Sequence, residues 1–265
     1  MPAAEVILTV SQSKRLIARS IPHLPEVKRA LREGMVVVCK GSTTAYIAEE
    51  LLACPIRKDT YIYGRTLPPG FKKPEGLFSG SMPEVVIRRG IYAEDMAFTD
   101  AIDALGPGDV VIKGANLLDY DAGLVGHLIG HPEGGTMGVI LGHIHGRGAY
   151  LVHPVGLEKL VAGRLLDIAR RLDETHADKS MPRLWVTRGI IVTEIEALRL
   201  LAGVEAVQTG AGGICGAEGA VRLRLFGTGD QLDRALSVIR EVQQEPSYLD
   251  ACLAAIQREG GGEDE

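Results

Sequence analysis

The sequence predicts an α/β protein with two parts: a mostly parallel sheet covered by helices on both faces, and a smaller α+β domain at the C-terminal end. Two observations support this prediction. Before residue 173, short runs of β-branched residues alternate with segments of helical periodicity, and strands that alternate with helices form parallel sheets with right-handed crossovers. After residue 182, the predicted order changes to strand, helix, strand, strand, helix.

The first elements are two helices and a buried strand. Residues 13–33 place apolar side chains at helical spacing, and Pro22 and Pro25 break this segment in two because proline cannot continue a helix. Gly34 ends the second helix. The β-branched run at 35–39 then predicts a strand that is buried on both faces.

The remaining elements of the first domain alternate in type, as in a Rossmann-like fold. Residues 66–83 are rich in proline, glycine, lysine and serine and predict a long loop, which in a compact domain is often functional. We place this domain at residues 1–175. Its other predicted elements are a helix at 45–52, strands at 60–63 and 85–88, a helix at 93–105, strands at 109–113, 139–141 and 149–152, and an amphipathic helix at 157–172.

The second domain is placed at residues 183–258, after a polar linker at 173–182. Its order of elements resembles most of a ferredoxin-like split βαβ unit. The glycine-rich loop at 210–216 is expected to join two antiparallel strands, and the tail at 259–265 has a disordered composition. The predicted elements are a strand at 184–192, a helix at 194–202, strands at 204–208 and 220–226, and helices at 230–243 and 246–258.

Composition and charge argue against several classes of function. With a formal net charge of −5 over 265 residues and scattered basic residues, the chain is not expected to bind nucleic acid. No apolar run approaches the ~18 residues of a membrane span, and the first residues lack the features of a signal peptide. The four cysteines form no Cys-x-x-Cys pair, which favours reduced thiols. We therefore expect a cytoplasmic protein that binds neither membranes nor nucleic acid.

A candidate anion-binding loop follows the first buried strand. Lys40 and Gly41 form a turn, and Ser42, Thr43 and Thr44 precede the helix predicted at 45–52. Backbone N–H groups at the start of a helix point outward and the helix dipole adds positive charge, so this position suits an anion. Ser and Thr are also common helix N-caps, and the residue types alone fit both interpretations.

Three segments carry a family resemblance: the loop at 38–51, the strand and turn at 109–119, and the glycine turn at 134–138 with the strand that follows. In order and spacing they resemble the superfamily of ribose-5-phosphate isomerase, glucosamine-6-phosphate deaminase and CoA transferases. DeoR-type sensor domains and initiation factor 2B-like proteins share this fold. The resemblance covers residues 5–165 and implies a small phosphorylated or CoA-linked ligand. The ligand-binding residues that it implies are Lys40, Gly41, Ser42, Thr43, Thr44, Lys113, Gly114, Gly134, Gly135 and Thr136.

The sequence departs from this superfamily at the catalytic positions. Asn116 stands where its sugar-phosphate isomerases place an acid after Gly-Ala, and an amide cannot act as a general base. No Glu or Lys follows Gly138 at the isomerase position, and the nucleophilic glutamate of CoA transferases has no match. The candidate catalytic residues are therefore Asn116 at the altered position, the nearby Asp119, and the histidines His143 and His145.

Five of the seven histidines lie between residues 127 and 153. His127 and His131, four apart, would share a helical face, whereas His143 and His145, two apart, would share one side of a strand or extended loop. Imidazoles at these spacings can bind a metal, exchange protons near neutral pH or line an anion pocket, and each can simply make a local hydrogen bond. Glycine and proline beside the first pair weaken the helix that would align it, so we predict no metal and no cofactor.

Two functions fit these observations. The first is an enzyme in which Ser42, Thr43 and Thr44 hold a phosphate, Lys40 and Lys113 add charge, and a histidine or Asp119 moves a proton. The second is a ligand-sensing module whose C-terminal domain mediates oligomerisation or a regulatory response. In both, the partner is a small anionic metabolite and the protein is expected to be a homo-oligomer. The sensing function is favoured if no titratable group lies near the ligand.

Overall fold

The computed structural model describes residues 2–174 and 181–260, and these residues form an α/β fold. The first elements are β1 (Ala3–Leu8), α1 (Val10–Ser20), α2 (Pro25–Glu33), β2 (Met35–Val38), α3 (Ser42–Leu52), β3 (Val85–Arg88), β4 (Ile91–Tyr92) and α4 (Phe98–Asp103). They are followed by β5 (Val110–Ile112), β6 (Leu117–Asp119), β7 (Leu124–Ile129), α5 (Gly135–Arg147), β8 (Tyr150–Pro154) and α6 (Leu165–Glu174). The last are β9 (Arg183–Thr187), β10 (Ile190–Val192), α7 (Glu194–Ala202), β11 (Glu205–Ala211), β12 (Val221–Phe226), α8 (Gly229–Val242) and α9 (Tyr248–Gly260).

The largest described sheet has six strands in the order β10-β8-β5-β2-β3-β4. β10, β8, β5 and β2 run parallel, as predicted, whereas β3 and β4 are antiparallel to their neighbours. The segment between α3 and β3 explains the reversal, because it returns to the carboxyl end of β2, where the N–H of Gly41 donates to the carbonyl of Tyr61 (2.9 Å). Residues 62–84, all described, contain no helix, so β3 starts at the end of the sheet where β2 finishes.

Both faces of this sheet are covered by helices. Consecutive residues of β2 point to opposite faces, and all four residues of the strand are buried. Val36 belongs to the same apolar cluster as Leu16 of α1 and Ile47 of α3. Val37 belongs to a second cluster, which includes Ile140 of α5. The β-branched run therefore forms a strand that is buried on both sides, as predicted.

The strand pairings cross the predicted division between two domains. β1 pairs antiparallel with β12, which pairs with β11 in a three-stranded sheet. β9 pairs with β7, which pairs with β6, and β10 pairs with β8, so the strand predicted at 184–192 is divided between two sheets. The hairpin predicted around residues 210–216 is confirmed. Segments on either side of residues 175–183 thus share sheets in space.

The strand predicted at 139–141 is wrong, because these residues lie within α5. Met137, Ile140 and Ile144 recur at helical spacing and are buried together. A short apolar run fits a buried strand and a buried helix equally well, and the flanking glycines concealed the helical period. The two histidines that were expected on a strand or extended loop, His143 and His145, therefore lie on a helix.

Three further predicted elements take another form. The strand predicted at 60–63 gives way to a 3₁₀ turn at Lys58–Thr60, and the helix predicted at 93–105 is reduced to α4. The helix predicted at 157–172 is a 3₁₀ turn at Leu157–Lys159 followed by α6. Gly163 separates the two with a φ of 93°, a conformation that a continuous helix cannot contain.

Two predictions lie partly outside the described residues. Residues 173–174 of the predicted linker end α6, and residues 175–180 lie outside the described part of the chain. Residues 259–260 of the predicted tail end α9, and residues 261–265 lie outside it as well. Among the described residues, no helix is both long enough and apolar enough to cross a membrane.

Candidate functional site

A cleft of about 510 Å³ opens at the carboxyl ends of the parallel strands β2 and β5. This is the edge of an open α/β sheet where ligands bind. Five other segments complete its wall: the start of the long loop, the end of β7 with the turn after it, the first turn of α5, the 3₁₀ turn after β8, and the residue before β9. In sequence, the lining is formed by residues 40–43, 63–66, 113–116, 127–131, 134–137, 159 and 182.

The cleft brings together most of the predicted ligand-binding residues, although they come from three distant segments of the chain. Thr44 is the exception, since it is fully buried and its hydroxyl donates to the carbonyl of Gly41 (3.1 Å). Asn116, a predicted catalytic residue, also lines the cleft. The predicted residues in the lining are Lys40, Gly41, Ser42, Thr43, Lys113, Gly114, Asn116, Gly134, Gly135 and Thr136.

The other predicted catalytic residues lie outside the cleft lining, and two of them, Asp119 and His143, have structural partners. Asp119 accepts hydrogen bonds from the N–H groups of Leu165 (2.9 Å) and Ala122 (3.2 Å), so it holds the start of α6 and a turn. His143 contacts Asp103 (3.0 Å), and His145 is exposed on α5. The prediction placed both histidines on a strand or extended loop, whereas they lie on α5, outside the cleft lining.

The N-terminus of α3 forms one wall of the cleft and is not capped by a side chain. Gly41 precedes the helix in an extended conformation, with φ 167° and ψ 160°. A Cβ atom at this position would lie 3.0 Å from the hydroxyl of Thr44, so glycine keeps the helix entrance open. The first N–H groups of α3 and the hydroxyls of Ser42 and Thr43 are therefore placed to receive an acceptor.

Three neighbouring parallel strands each deliver a lysine to the cleft. Lys40 follows β2, Lys113 follows β5, and Lys159 lies at the end of the 3₁₀ turn after β8. The ammonium of Lys40 donates to the hydroxyl of Ser81 (2.8 Å) and lies 4.0 Å from the carboxylate of Glu84. With no Asp or Glu among the described lining residues, the cleft has a strongly positive surface.

Lys113 and Lys159 differ from Lys40 because neither forms a salt bridge with a described residue. Their ammonium groups contact only backbone carbonyls, at 3.5 Å for Lys113 with Gly114 and 2.7 Å for Lys159 with Ala115. Desolvation lowers the pKa of both lysines, and the nearby charge of Lys159 lowers the pKa of Lys113 further. Lys113 therefore has no carboxylate partner among the described residues, whereas the charges of Glu158 and Glu194 partly offset the effect of desolvation on Lys159.

A fourth lysine contacts the candidate anion-binding loop. Lys14 of α1 donates from its ammonium to the hydroxyl of Ser42 (3.2 Å). Burial and the charge of Lys159 lower the pKa of Lys14 to about 8. An ammonium group only donates, so the Ser42 hydroxyl accepts from Lys14 and can still donate its own proton toward the cleft.

His127 lines the cleft and is connected to a second buried histidine, His153, which lies behind the lining. The ring of His127 contacts the hydroxyl of Thr187 (2.9 Å), which in turn contacts His153 (3.2 Å). Both imidazoles are buried, with exposed fractions of 2% and 0%. Desolvation lowers the pKa of His127 well below its ordinary value and that of His153 to about 4, so both rings are neutral near pH 7.

Sequence reasoning missed Lys159, and it considered His127 without choosing it. The strand predicted at 149–152 was followed directly by a predicted helix, which hid the fact that Lys159 belongs to the loop after that strand. One sequence signal could have indicated Lys159: Lys40 and Lys113 each follow a predicted parallel strand, so a lysine in the loop after the next strand is expected at the same edge of the sheet. The sequence has five histidines between residues 127 and 153 and gives no reason to choose His127 among them. The pairing of β7 with β9 is what places this residue against Thr187.

The site has the chemistry of an anion receptor. Its described part joins an uncapped helix N-terminus to a set of lysines, and the described residues contain no group of three or more histidine, cysteine or acidic side chains that could hold a metal ion. Comparisons of the chain with protein-family models, with curated proteins and with solved structures found no match.

Proposed function

We propose that the cleft binds a small anionic metabolite, phosphorylated or CoA-linked, and that the α3 N-terminus and the lysines hold its charged group. The observation that carries this proposal is the pair Lys113 and Lys159, which line the cleft and form no salt bridge with a described residue. A partly desolvated cation without a counter-charge is unfavourable. An anion in the cleft supplies that charge to both lysines at once.

The size and position of the cleft support a small metabolite. Its volume of about 510 Å³ lies within the range of small-molecule sites. Its place at the carboxyl ends of parallel strands is where Rossmann-like folds bind their ligands. Both features agree with the resemblance to the superfamily of ribose-5-phosphate isomerase and CoA transferases, which belongs to the same proposal.

The ferredoxin-like assignment of the C-terminal unit also belongs to the proposal, with a modification. The strand β10 that should open the unit pairs with β8 in the large sheet. The position beside β12 is taken instead by β1, which is antiparallel to it as the opening strand of such a unit would be. The unit is thus completed by the N-terminal segment of the chain.

Enzymatic and sensing functions both fit this cleft, and different observations favour each. The described lining contains no carboxylate, and Asn116 replaces the acid, which favours sensing. Lys113, Lys159 and His127 favour catalysis, because each has a lowered pKa and a place at the ligand. Turnover of a bound ligand distinguishes the two.

Isothermal titration calorimetry with inorganic phosphate, ribose 5-phosphate and CoA tests the proposal. At least one of these anions is expected to bind, and Lys113→Met should weaken that binding by about ten- to a hundredfold, because charge-assisted hydrogen bonds contribute about 1.5–3 kcal/mol. Lys72→Met, at an exposed lysine of the long loop, is the matched control and should leave the affinity unchanged. If none of the three anions binds, or both variants bind equally, the proposal is wrong.

A further inference from the structure

A second helix N-terminus, that of α5, lines the cleft besides that of α3. α5 begins at Gly135, no described side chain caps its start, and its first turn, which is fully described, contains no acidic residue. Residues 134–137 all belong to the cleft lining. With 13 residues, α5 is long enough to carry the partial positive charge of a helix dipole at this end. The cleft thus receives the positive ends of two helices.

The first N–H groups of both helices lack acceptors. In α3 the first bonded N–H is that of Ala45, which donates to the carbonyl of Gly41 (2.9 Å). In α5 it is that of Gly138, which donates to the carbonyl of Gly134 (3.2 Å). Within the described chain, the N–H groups of residues 42–44 and 135–137 have no hydrogen-bond acceptor. Each set can therefore donate to an anion.

The entrance of α5 is bare because two glycines form it. Gly134 and Gly135 have φ values of 83° and 54°, in the left-handed region that favours glycine. A Cβ atom at Gly134 would also lie 2.7 Å from the ring of Trp185. Two consecutive residues without side chains leave the first N–H groups of the helix uncovered on the side of the cleft.

The two helices cover opposite faces of the large sheet. Ile47 of α3 belongs to the same apolar cluster as Val36, whereas Ile140 of α5 belongs to that of Val37, the next residue of β2. The cleft lies at the edge of this sheet and therefore has an α3 side and an α5 side. A single anion at the start of α3 leaves the start of α5 without a partner.

The α5 side also has its own lysine. The N–H of Lys113 donates to the carbonyl of Val152 (2.9 Å), so this residue continues β5. Its side chain then lies on the same face as that of Val111, which shares an apolar cluster with Met137 of α5. Lys113 lines the cleft, is largely desolvated and forms no salt bridge with a described residue. This cation independently indicates an anion on the α5 side.

Other lysines serve the α3 side. Lys14 donates to the hydroxyl of Ser42 at the start of α3 (3.2 Å). Burial and then the charge of Lys159 lower the pKa of Lys14, which places Lys159 near the same helix end. The hydroxyls of Ser42 and Thr43 add donors there, which suits the several oxygens and the double charge of a phosphate. On the α5 side, one lysine and the single hydroxyl of Thr136 suit a group with one charge.

We propose that the cleft holds a small metabolite with two anionic groups, a phosphate at the N-terminus of α3 and a carboxylate at the N-terminus of α5. This inference rests on the proposed function, because the first group is the anion proposed there. Glu133, the acidic residue closest in sequence to the start of α5, is exposed and lies outside the cleft lining. It therefore leaves this helix start to the ligand.

Calorimetry with two matched pairs of probes tests the proposal on the full-length protein. Sorbitol 6-phosphate and 6-phosphogluconate share a six-carbon chain and differ in a terminal hydroxymethyl or carboxylate group. Glycerol 3-phosphate and 3-phosphoglycerate form the same contrast on a shorter chain. The carboxylate member of at least one pair should bind about tenfold more tightly or better, since charge-assisted hydrogen bonds contribute about 1.5–3 kcal/mol.

Thr136→Asp distinguishes the start of α5 from the general positive charge of the cleft. An acidic residue in the first turn favours a helix, so the fold should be kept, but its carboxylate repels that of the ligand. We expect the preference within the pair to disappear. Val139→Asp puts the same charge at an exposed position of α5 outside the cleft lining, and it should keep the preference.

The outcomes separate this inference from the proposed function. The inference is wrong if neither carboxylate probe binds more tightly than its partner, if Thr136→Asp keeps the preference, or if both variants lose it. If inorganic phosphate, ribose 5-phosphate and CoA all fail to bind to the wild-type protein, the proposed function fails and the inference fails with it. If one of them binds, the inference depends on the two pairs and the two variants alone.

Discussion

At the scale of single residues, the desolvated lysines of the cleft are expected to lower the stability of the free protein and to favour the binding of an anion. Lys113 and Lys159 follow buried strands, and neither ammonium group forms a salt bridge with a described carboxylate. Replacement of an unpaired, desolvated charge by an apolar side chain of similar length is often stabilising. The same substitution removes the charge that we expect an anion to need.

Lys113→Met should therefore raise the stability of the ligand-free protein by about 1 kcal/mol, since the methionine packs without the cost of desolvation. Chemical denaturation at neutral pH measures this change. Lys72→Met, at an exposed position, should have no effect. A loss of stability in Lys113→Met would show that the lysine is already satisfied within the protein.

Gly41 is the second residue with a testable role. Its φ of 167° is accessible to any residue, so a side chain there does not strain the backbone. The Cβ atom would instead crowd the hydroxyl of Thr44 and the entrance of α3. Gly41→Val is expected to weaken phosphate binding more than about tenfold, as loss of charge-assisted hydrogen bonds does, with little change in the thermal midpoint.

Gly64→Ala is the control for this variant. Gly64 also lines the cleft, but a Cβ atom there has open space around it. Its affinity for phosphate, measured by calorimetry, should equal that of the wild-type protein. Equal affinities of Gly41→Val and Gly64→Ala would remove α3 from the binding site.

At the scale of elements, local signals located most helices and strands, and they failed where the period was ambiguous. The prolines at 22 and 25 and Gly34 separated α1, α2 and β2 correctly. The Gly-Ser-Thr-Thr loop between a buried strand and a helix could be recognised from adjacent residues alone. Residues 139–141 could not be assigned in that way, because a three-residue apolar run has no period, and the error removed His143 and His145 from the site.

The start of α7 offers a prediction at this scale. Thr193 accepts from the N–H of Ile195 (3.1 Å), and Glu196 accepts from the N–H of Thr193 (2.9 Å), which forms a capping box. Thr193→Ala is expected to cost about 1 kcal/mol, the usual value of an N-cap. Chemical denaturation measures it, and Thr66→Ala in the exposed loop is the control. An unchanged free energy of unfolding would mean that packing alone holds this helix.

At the scale of the whole molecule, buried ionisable groups make stability depend on pH in opposite directions. Burial, followed by the charge of Glu158, raises the pKa of Glu194 from 4.5 to about 7. The folded protein holds this proton more tightly than the unfolded chain, so stability falls as pH rises from about 4.5 to about 7. His153, with a pKa lowered from 6.5 to about 4, loses stability as pH falls through that interval.

Glu194→Gln should remove the loss of stability that the wild-type protein shows as the pH rises from about 4.5 to about 7. We expect the variant to be more stable than the wild-type protein by about 1–3 kcal/mol at pH 8, and the difference to shrink below pH 5, where the carboxyl is protonated in both states. Denaturation curves at pH 5 and pH 8 measure this, with Glu75→Gln at an exposed position as the control. A constant difference between the two pH values would contradict the raised pKa.

The candidate site could be predicted only as far as local sequence reaches. Lys40 and Ser42 were recognisable from their own neighbours, whereas Lys159 joins them through the parallel pairing of β5 with β8. The contact of His127 with Thr187 joins residues that are 60 apart in sequence, and His153 in turn contacts the carbonyl of Lys113. Such relations come from strand register, which the composition of one segment does not encode. The homo-oligomer stays a prediction.

The pairing of β1 with β12 has a consequence for how the chain is made. During synthesis, Ala3–Leu8 emerge long before their partner strand, which ends at Phe226, so they have no place in this sheet until that strand has left the ribosome. Closing so long a loop is slow compared with local folding. Until then the backbone N–H and C=O groups of β1 are unpaired and can pair with strands of other nascent chains. Correct folding in the cell therefore requires that β1 stays unpaired until β12 is available.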